Sequence, residues 1–264
     1  MKYASVFSTF VIAALLLLFT RCIEMGAYYA GFHMQPDIDR ASFTPGLNVY
    51  GILKAGPSFD TLDHYFEVQR VLYVFDSIEG FPVADASIVL KRISGGNEVA
   101  RYTVPHIRDG IYRHAFLDVA PGEHWEFSCR DDSFSVFSYC VVPNTPVLKG
   151  SVSCPTDREV RFILEPDSTA YMYWVYLTGP GENIFIHRQV STRGEETSFY
   201  LTPDWPVEKG KTVLYVFAFD RNLEHYTTTS NIFFKPNAFR PMFSTVEGGY
   251  GTFGAVSSTL ILIE

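Results

Sequence analysis

The 264-residue chain sets 21 Lys and Arg against 29 Asp and Glu, a formal charge of −8. It has no basic run, which excludes a nucleic-acid partner that needs a Lys/Arg footprint. Apolar residues make up 47% and charged residues 19%, which excludes a disordered chain or polar linker. With 23 Phe, 16 Tyr and 3 Trp the chain is rich in aromatics, and 15 Pro and 19 Gly interrupt it too often for long helices.

The first element is a leader. Lys2 supplies a short charged region, and Val6–Phe19 is an uncharged apolar run. A membrane-crossing helix needs about 20 such residues, so this run is short for a span and has the size of a secretory h-region. It ends at Leu18-Phe19-Thr20-Arg21-Cys22, which resembles the lipobox of bacterial lipoproteins. The resemblance implies a signal peptide over residues 1–21 and lipidation of Cys22. The mature protein is then lipid-anchored at the outer membrane, facing the surface or the periplasm. The alternative is an ordinary signal peptide cut after Ala27. Residues 22–43 mix Gly, Tyr, Pro and Asp without periodicity and read as a tether.

From Leu47 the pattern is alternation and short apolar runs between turn residues, the signature of β-structure. Seven strands are expected in the first half: Leu47–Leu53, His64–Phe75, Ser87–Lys91, Glu98–Val104, Ile111–Phe116, Glu123–Cys129 and Phe134–Val142. Asp109-Gly110 is a hairpin signal, because glycine takes positive φ without steric cost. Pro143, Pro146, Gly150 and Pro155 then mark a boundary. A second series follows: Glu159–Leu164, Ala170–Leu177, Ile184–Val190, Thr197–Leu201, Thr212–Phe219, Thr227–Phe234 and Val256–Ile263. The expected fold is all-β, two tandem Ig-like β-sandwiches over residues 44–148 and 149–264.

Cysteine usage leaves two readings open. Beyond Cys22 there are Cys129, Cys140 and Cys154, whose spacing matches no paired CxxC zinc pattern. They form one disulfide, either Cys140–Cys154 or Cys129–Cys140, or they are small buried apolar residues.

Three resemblances extend the reading. Gly80, Pro82, Val83, Ala86, Ile88 and Leu90, followed by Asp109-Gly110-Ile111-Tyr112 and Pro121-Gly122, resemble the carboxypeptidase-regulatory-like sandwich. Tyr173, Val175 and Leu177, with Gly210, Val213, Tyr215, Phe217 and Ala218-Phe219-Asp220, are similar to fibronectin type III strands. Both imply fold alone. The tail, with Phe233-Phe234-Lys235-Pro236, Arg240-Pro241 and Phe243 through Ala255 including Gly248-Gly249-Tyr250-Gly251-Thr252-Phe253-Gly254, resembles the C-terminus of an uncharacterised Bacteroidetes outer-membrane lipoprotein family. That resemblance implies an accessory role beside a TonB-dependent receptor and assigns no catalytic residue and no cofactor.

Catalytic signals are sparse. Gly249, Gly251 and Gly254 match GxGxxG literally, but a dinucleotide fingerprint must open a helix, and the residues after Gly254 read as a strand. The better reading is close backbone approach, with Tyr250 and Phe253 plugging the end of the second sandwich. The seven histidines form neither HxH nor HExxH, and there is no GxSxG elbow. Asp131-Asp132 reads as a hairpin tip ahead of a calcium loop, and the acid pairs Glu195-Glu196 and Asp220/Glu224 fix no catalytic distance. The sequence reads as a non-enzyme without cofactor or metal. The aromatics are the better lead. In Ala170–Leu177, alternation puts Tyr171, Tyr173, Val175 and Leu177 on one face and Met172, Trp174 and Tyr176 on the other, and the fibronectin-like resemblance implies that Tyr173 and Val175 face the core. That face either packs on the first sandwich or forms a platform for a glycan or peptide. The functional expectation is a binding or accessory lipoprotein, with a structural or adhesive surface protein as the alternative.

Overall fold

The computed structural model describes residues 45–57, 64–71, 81–114, 117–191, 193–229 and 244–264. The leader, Cys22 and the tether lie outside these residues. The described segments belong to one compact unit.

Among the described residues fourteen strands form in chain order: β1 (Leu47–Ala55), β2 (His64–Arg70), β3 (Ser87–Ser94), β4 (Asn97–Val104), β5 (His106–Arg108), β6 (Ile111–His114), β7 (His124–Arg130), β8 (Ser135–Val141), β9 (Val160–Leu164), β10 (Met172–Thr178), β11 (Ile184–Val190), β12 (Thr197–Leu201), β13 (Val213–Phe219) and β14 (Tyr250–Leu262). One nine-residue helix, α1 (Arg221–Thr229), lies between β13 and β14. The all-β expectation describes the molecule. Its architecture is two β-sandwiches that share one sheet.

That shared sheet has eight strands in the order β11-β10-β13-β14-β1-β2-β6-β5. A four-stranded sheet, β4-β3-β7-β8, closes the first sandwich, and the pair β12-β9 closes the second. Strand β14 makes the join. Its first part runs parallel to β1, from Asn48 opposite Tyr250 to Ala55 opposite Ser257. Its second part runs antiparallel to β13, from Phe219 opposite Val256 to Val213 opposite Leu262. The segment 149–264 therefore returns to the first core: Val246, Phe253 and Ala255 are buried there with Phe66, Trp125 and Phe127. Phe253 stacks on Phe127 (4.9 Å between centroids) and Phe66 (6.4 Å), so it plugs the first sandwich and not the second.

Glycine makes the parallel join possible. At Gly251, φ is +99°, and a Cβ would stand 1.9 Å from the Val49 carbonyl oxygen. Only a residue without a side chain lets the two backbones come that close. The GxGxxG run thus opens a strand.

The second core is built from alternate residues of β9, β10, β12 and β13. Phe162 and Phe199 stack at 4.7 Å, and Tyr173 meets Phe199 edge-on at 6.0 Å. In the first sandwich the Asp109-Gly110 turn aims the Tyr112 hydroxyl at the 83–86 segment. It donates to the Val83 carbonyl (2.9 Å) and accepts from the Ala86 N–H (2.8 Å), which accounts for a buried Tyr after the hairpin glycine.

One expected strand is also corrected, and the open choice for the cysteines is resolved. Residues 221–229 are helical where Thr227–Phe234 reads as a strand, and residues 230–234 lie outside the described set. Asp220 explains the helix: its Oδ1 accepts from the Leu223 N–H at 2.9 Å, an N-cap that outweighs the β-branched threonines. Of the two readings left open for the cysteines, the structure has the unbridged one: Cys129, Cys140 and Cys154 are free thiols, the first two buried. Cys129 pairs with Val136 and Cys140 with Trp125 along the β7–β8 ladder, several rungs apart, while Cys154 packs against the second core.

Candidate functional site

The shared sheet has one face in both cores and one face outside. Alternation assigns the outer face on each strand: Met172, Trp174 and Tyr176 on β10; Tyr215, Phe217 and Phe219 on β13; Val256 on β14; Tyr50, Ile52 and Lys54 on β1. These residues and α1 form an apolar groove of about 480 Å³. Met172 is buried at its base with Phe219, Leu223 and Val256, and Ile52, Trp174 and Phe217 pack against that cluster. Tyr176 lines the groove with Trp174. The expected stripe thus splits: Met172 is packing, while Trp174 and Tyr176 are half-buried rings that line the groove.

The rings form a continuous floor. Trp174 lies 4.8 Å from Phe219, Tyr176 meets Phe217 edge-on at 5.4 Å, and Tyr215 stacks on Phe217 at 6.4 Å. The Trp174 indole N–H points to the Met172 sulfur at 3.3 Å, and the Arg188 guanidinium sits 4.0 Å over the Trp174 ring. That cation–π contact holds the indole in place. On the far side, Lys54 lies over Tyr65, and partial burial lowers the pKa of its ammonium. Burial, followed by the fields of Tyr65, Tyr226 and Glu67, pushes the Tyr50 hydroxyl up to about 12, so it remains a neutral donor.

Sequence reasoning found the β10 contribution to this site and missed those of β1, β14 and α1. No local signal in the sequence pairs Lys54 with Val256. The same outer face continues over β11, where Ile184 is 60% and Ile186 51% exposed, and over the end of β14, where Leu260 is 44% exposed. Apolar side chains in such a row are uncommon on a solvated sheet.

A second cleft, of about 670 Å³, lies where α1 meets β8. Three of its polar side chains hold the molecule together. Asn222 donates to the carbonyls of Tyr139 and Phe253 (2.8 Å each), Arg193 donates to the Ser168 carbonyl and stacks on Tyr171, and Asp220 caps α1. Two more of the acids that the sequence singled out are structural. Asp131 accepts from the N–H groups of Ser133 (2.8 Å) and Phe134 (2.6 Å) and pairs with Arg70 at 2.8 Å, so it fixes the β7–β8 turn. Glu196 pairs with Lys149. Among the described residues no three metal-ligating side chains converge.

No protein-family model matches the chain, and no curated protein does. Solved structures share its β-sandwich character at low similarity. The FN1–FN3 domains of chicken CNTN1 are 13% identical over 83% of this chain and 67% of that one, with a TM-score of 0.32. A two-domain fibronectin type III segment of chicken tenascin is 18% identical over 67% and 90%, with a TM-score of 0.23. A tandem repeat from the extending region of a large adhesion protein is 12% identical over 83% and 49%, also with a TM-score of 0.23.

Proposed function

We propose that this chain is a non-enzymatic binding protein of the cell envelope, with the aromatic groove on the shared sheet as its recognition surface. The observation that carries the reading is the groove itself: a ring-floored cavity of ligand size, separate from both cores, on a face where side chains ordinarily are polar. The lipid anchor at Cys22 and work beside a TonB-dependent receptor belong to the same proposal, supported by the lipobox-like run and the tail. Mass spectrometry of the mature N-terminus, with Cys22→Ala as control, tests the anchor.

The groove is tested with Tyr176→Ala and Trp174→Ala. Tyr176 is a half-buried ring of the groove, so its loss is expected to lower the unfolding free energy from urea melts by no more than about 1 kcal/mol. Trp174 is half-buried, so its loss costs about 2 kcal/mol, half of a core tryptophan truncation. Both variants should lose binding on a glycan, peptide and lipid panel that the full chain recognises. Full retention of binding by both would end this reading.

A structural or adhesive role is favoured by a different observation. Strand β11 is an edge of the shared sheet, seven residues long, with exposed Ile184, Ile186 and Val190 and no proline or acidic residue. Soluble proteins usually blunt such edges. Strand addition at β11 predicts concentration-dependent self-association in sedimentation, abolished by Ile186→Lys; a monomer at all concentrations counts against it.

A further inference from the structure

We propose that β11 pairs antiparallel with β11 of a second copy of this chain, on a two-fold axis through His187, so that the two shared sheets join edge to edge. The pairing rests on strand addition at β11 and goes further by fixing the partner strand, its register and the side chains that meet.

The other sheet edges are blunted, as soluble proteins usually arrange. Strand β5 has three residues, β4 carries a bulged ladder and a Glu98–Arg101 ion pair, and β8 is bridged at Phe137 by Glu247. Strand β9 is bridged by Leu148 and Ser153, and β12 has five residues. Strand β11 offers seven residues in unbroken register, and its one charge, Arg188, is turned onto the Trp174 ring.

The ladder to β10 decides which backbone groups the edge offers. The Ser191 N–H donates to the Tyr171 carbonyl and the Gly179 N–H to the Asn183 carbonyl, at 2.9 Å each. Mutually bonded pairs alternate along an antiparallel ladder. In this register Tyr173–Gln189, Val175–His187 and Leu177–Phe185 are therefore bonded as well. The N–H and C=O groups of Ile184, Ile186, Arg188 and Val190 point the other way, into the open edge. None of them has a backbone partner among the described residues.

That alternation selects the register. An edge that offers every second residue matches its own copy only where offered residues face offered residues, which requires an axis through a residue. Through His187, Ile184 faces the partner's Val190 and Ile186 faces the partner's Arg188, so all four residues exchange both bonds. An axis through Ile186 leaves Val190 unpaired. One through Arg188 leaves Ile184 unpaired and sets two guanidinium groups opposite each other, which repel. The side chains agree with the middle axis. On the outer face exposed Ile184 covers the partner's Val190, and exposed Ile186 lies along the aliphatic stem of the partner's Arg188. On the inner face His187, which meets Phe199 edge-on at 6.0 Å, stands beside the partner's His187. The axis is normal to the sheet, so the two aromatic grooves open on the same side. Paired edges of this length bury less than about 1,200 Å², so the association is weak and depends on concentration.

The experiment places single cysteines in the full chain, oxidises it mildly at high protein concentration and reads the cross-linked peptides by mass spectrometry. Facing residues without mutual bonds bring their Cα atoms to about 4.5 Å, inside disulfide range. His187→Cys is expected to give a dimer bridged between the two copies of residue 187. Ile186→Cys and Arg188→Cys should give none, because each then stands more than about 7 Å from its own copy. The natural protein supplies a readout that no substitution disturbs. Amide exchange at Ile184, Ile186, Arg188 and Val190 should slow about tenfold between a dilute sample and one with about nine chains in ten paired. A bridge at residue 186 or 188 in place of 187, or an unprotected Ile184 or Val190 in the dimer, overturns the register and leaves strand addition at β11 standing. A dimer that survives Ile186→Lys and protects none of these amides overturns strand addition and the register together. So does a monomer at every concentration.

Discussion

Phe253→Ala is expected to lower stability by about 4 kcal/mol, and the loss should appear in both sandwiches at once. Its ring is fully buried between Phe66 and Phe127, and truncating a buried Phe costs about 3–5 kcal/mol through lost transfer and the cavity left behind. That is a large fraction of the roughly 5–15 kcal/mol that holds a domain folded. The residue sits in the part of β14 that pairs with β1, and the same strand then pairs with β13. Further bonds fix the crossing: the Ser257 hydroxyl donates to the Asn144 carbonyl at 2.7 Å, and the Asn144 N–H donates to the Thr169 hydroxyl at 2.9 Å. Trp125 reports on the first core and Trp205 on the second. In single-tryptophan variants their urea midpoints should coincide, and Phe253→Ala should move both together. A Trp205 transition that ignores Phe253→Ala would mean that the sandwiches unfold independently. Gly251→Ala should act on the same seam from the backbone, because its Cβ collides with the Val49 carbonyl.

Much of the strand content was legible because the physics behind it is local. Strands β11 and β12 occupy the residues that alternation marks, Ile184–Val190 and Thr197–Leu201. The first part of β14 was not legible. Its glycines suggest a turn when read locally, and they belong to a strand only because β1, some 200 residues earlier, lies alongside. Helix α1 carried a readable sign in Asp220 followed by Glu224 in the first turn, but Thr227, Thr228 and Thr229 pull the local pattern toward strand. The groove follows the same division. Alternation placed Trp174 and Tyr176 on one face, yet their neighbours Lys54 and Tyr50 come from a pairing that sequence does not encode locally.

The pH dependence of stability should be shallow in the natural protein and steep, in opposite directions, in two variants. Burial raises the Asp220 carboxyl to about 7, with the N–H groups around it, including that of Leu223, pulling the other way. Burial likewise lowers the His64 imidazole to about 4, helped by the charge of Lys54. Between pH 4 and 7 folded Asp220 holds a proton that the unfolded chain has released, so its contribution falls as pH rises, by up to about 4 kcal/mol. Between pH 4 and 6.5 the unfolded chain holds the proton that folded His64 refuses, so that contribution rises with pH, by up to about 3 kcal/mol. The two nearly cancel. Asp220→Asn keeps a neutral oxygen for the Leu223 N–H and removes one titration. Its stability should climb from pH 4 to 6.5, stay level above that, and exceed the natural protein's at pH 8. His64→Asn keeps an acceptor for the Lys54 N–H, which His64 Nδ1 now accepts at 3.3 Å. It pays a constant cavity cost, and its stability should decline from pH 4 to 7. Urea melts at pH 4.5, 6 and 7.5 separate the two slopes. Parallel profiles for all three proteins would mean that neither buried group titrates away from its ordinary range, and the opposition between a capping carboxyl in α1 and an imidazole in β2 would have to be abandoned.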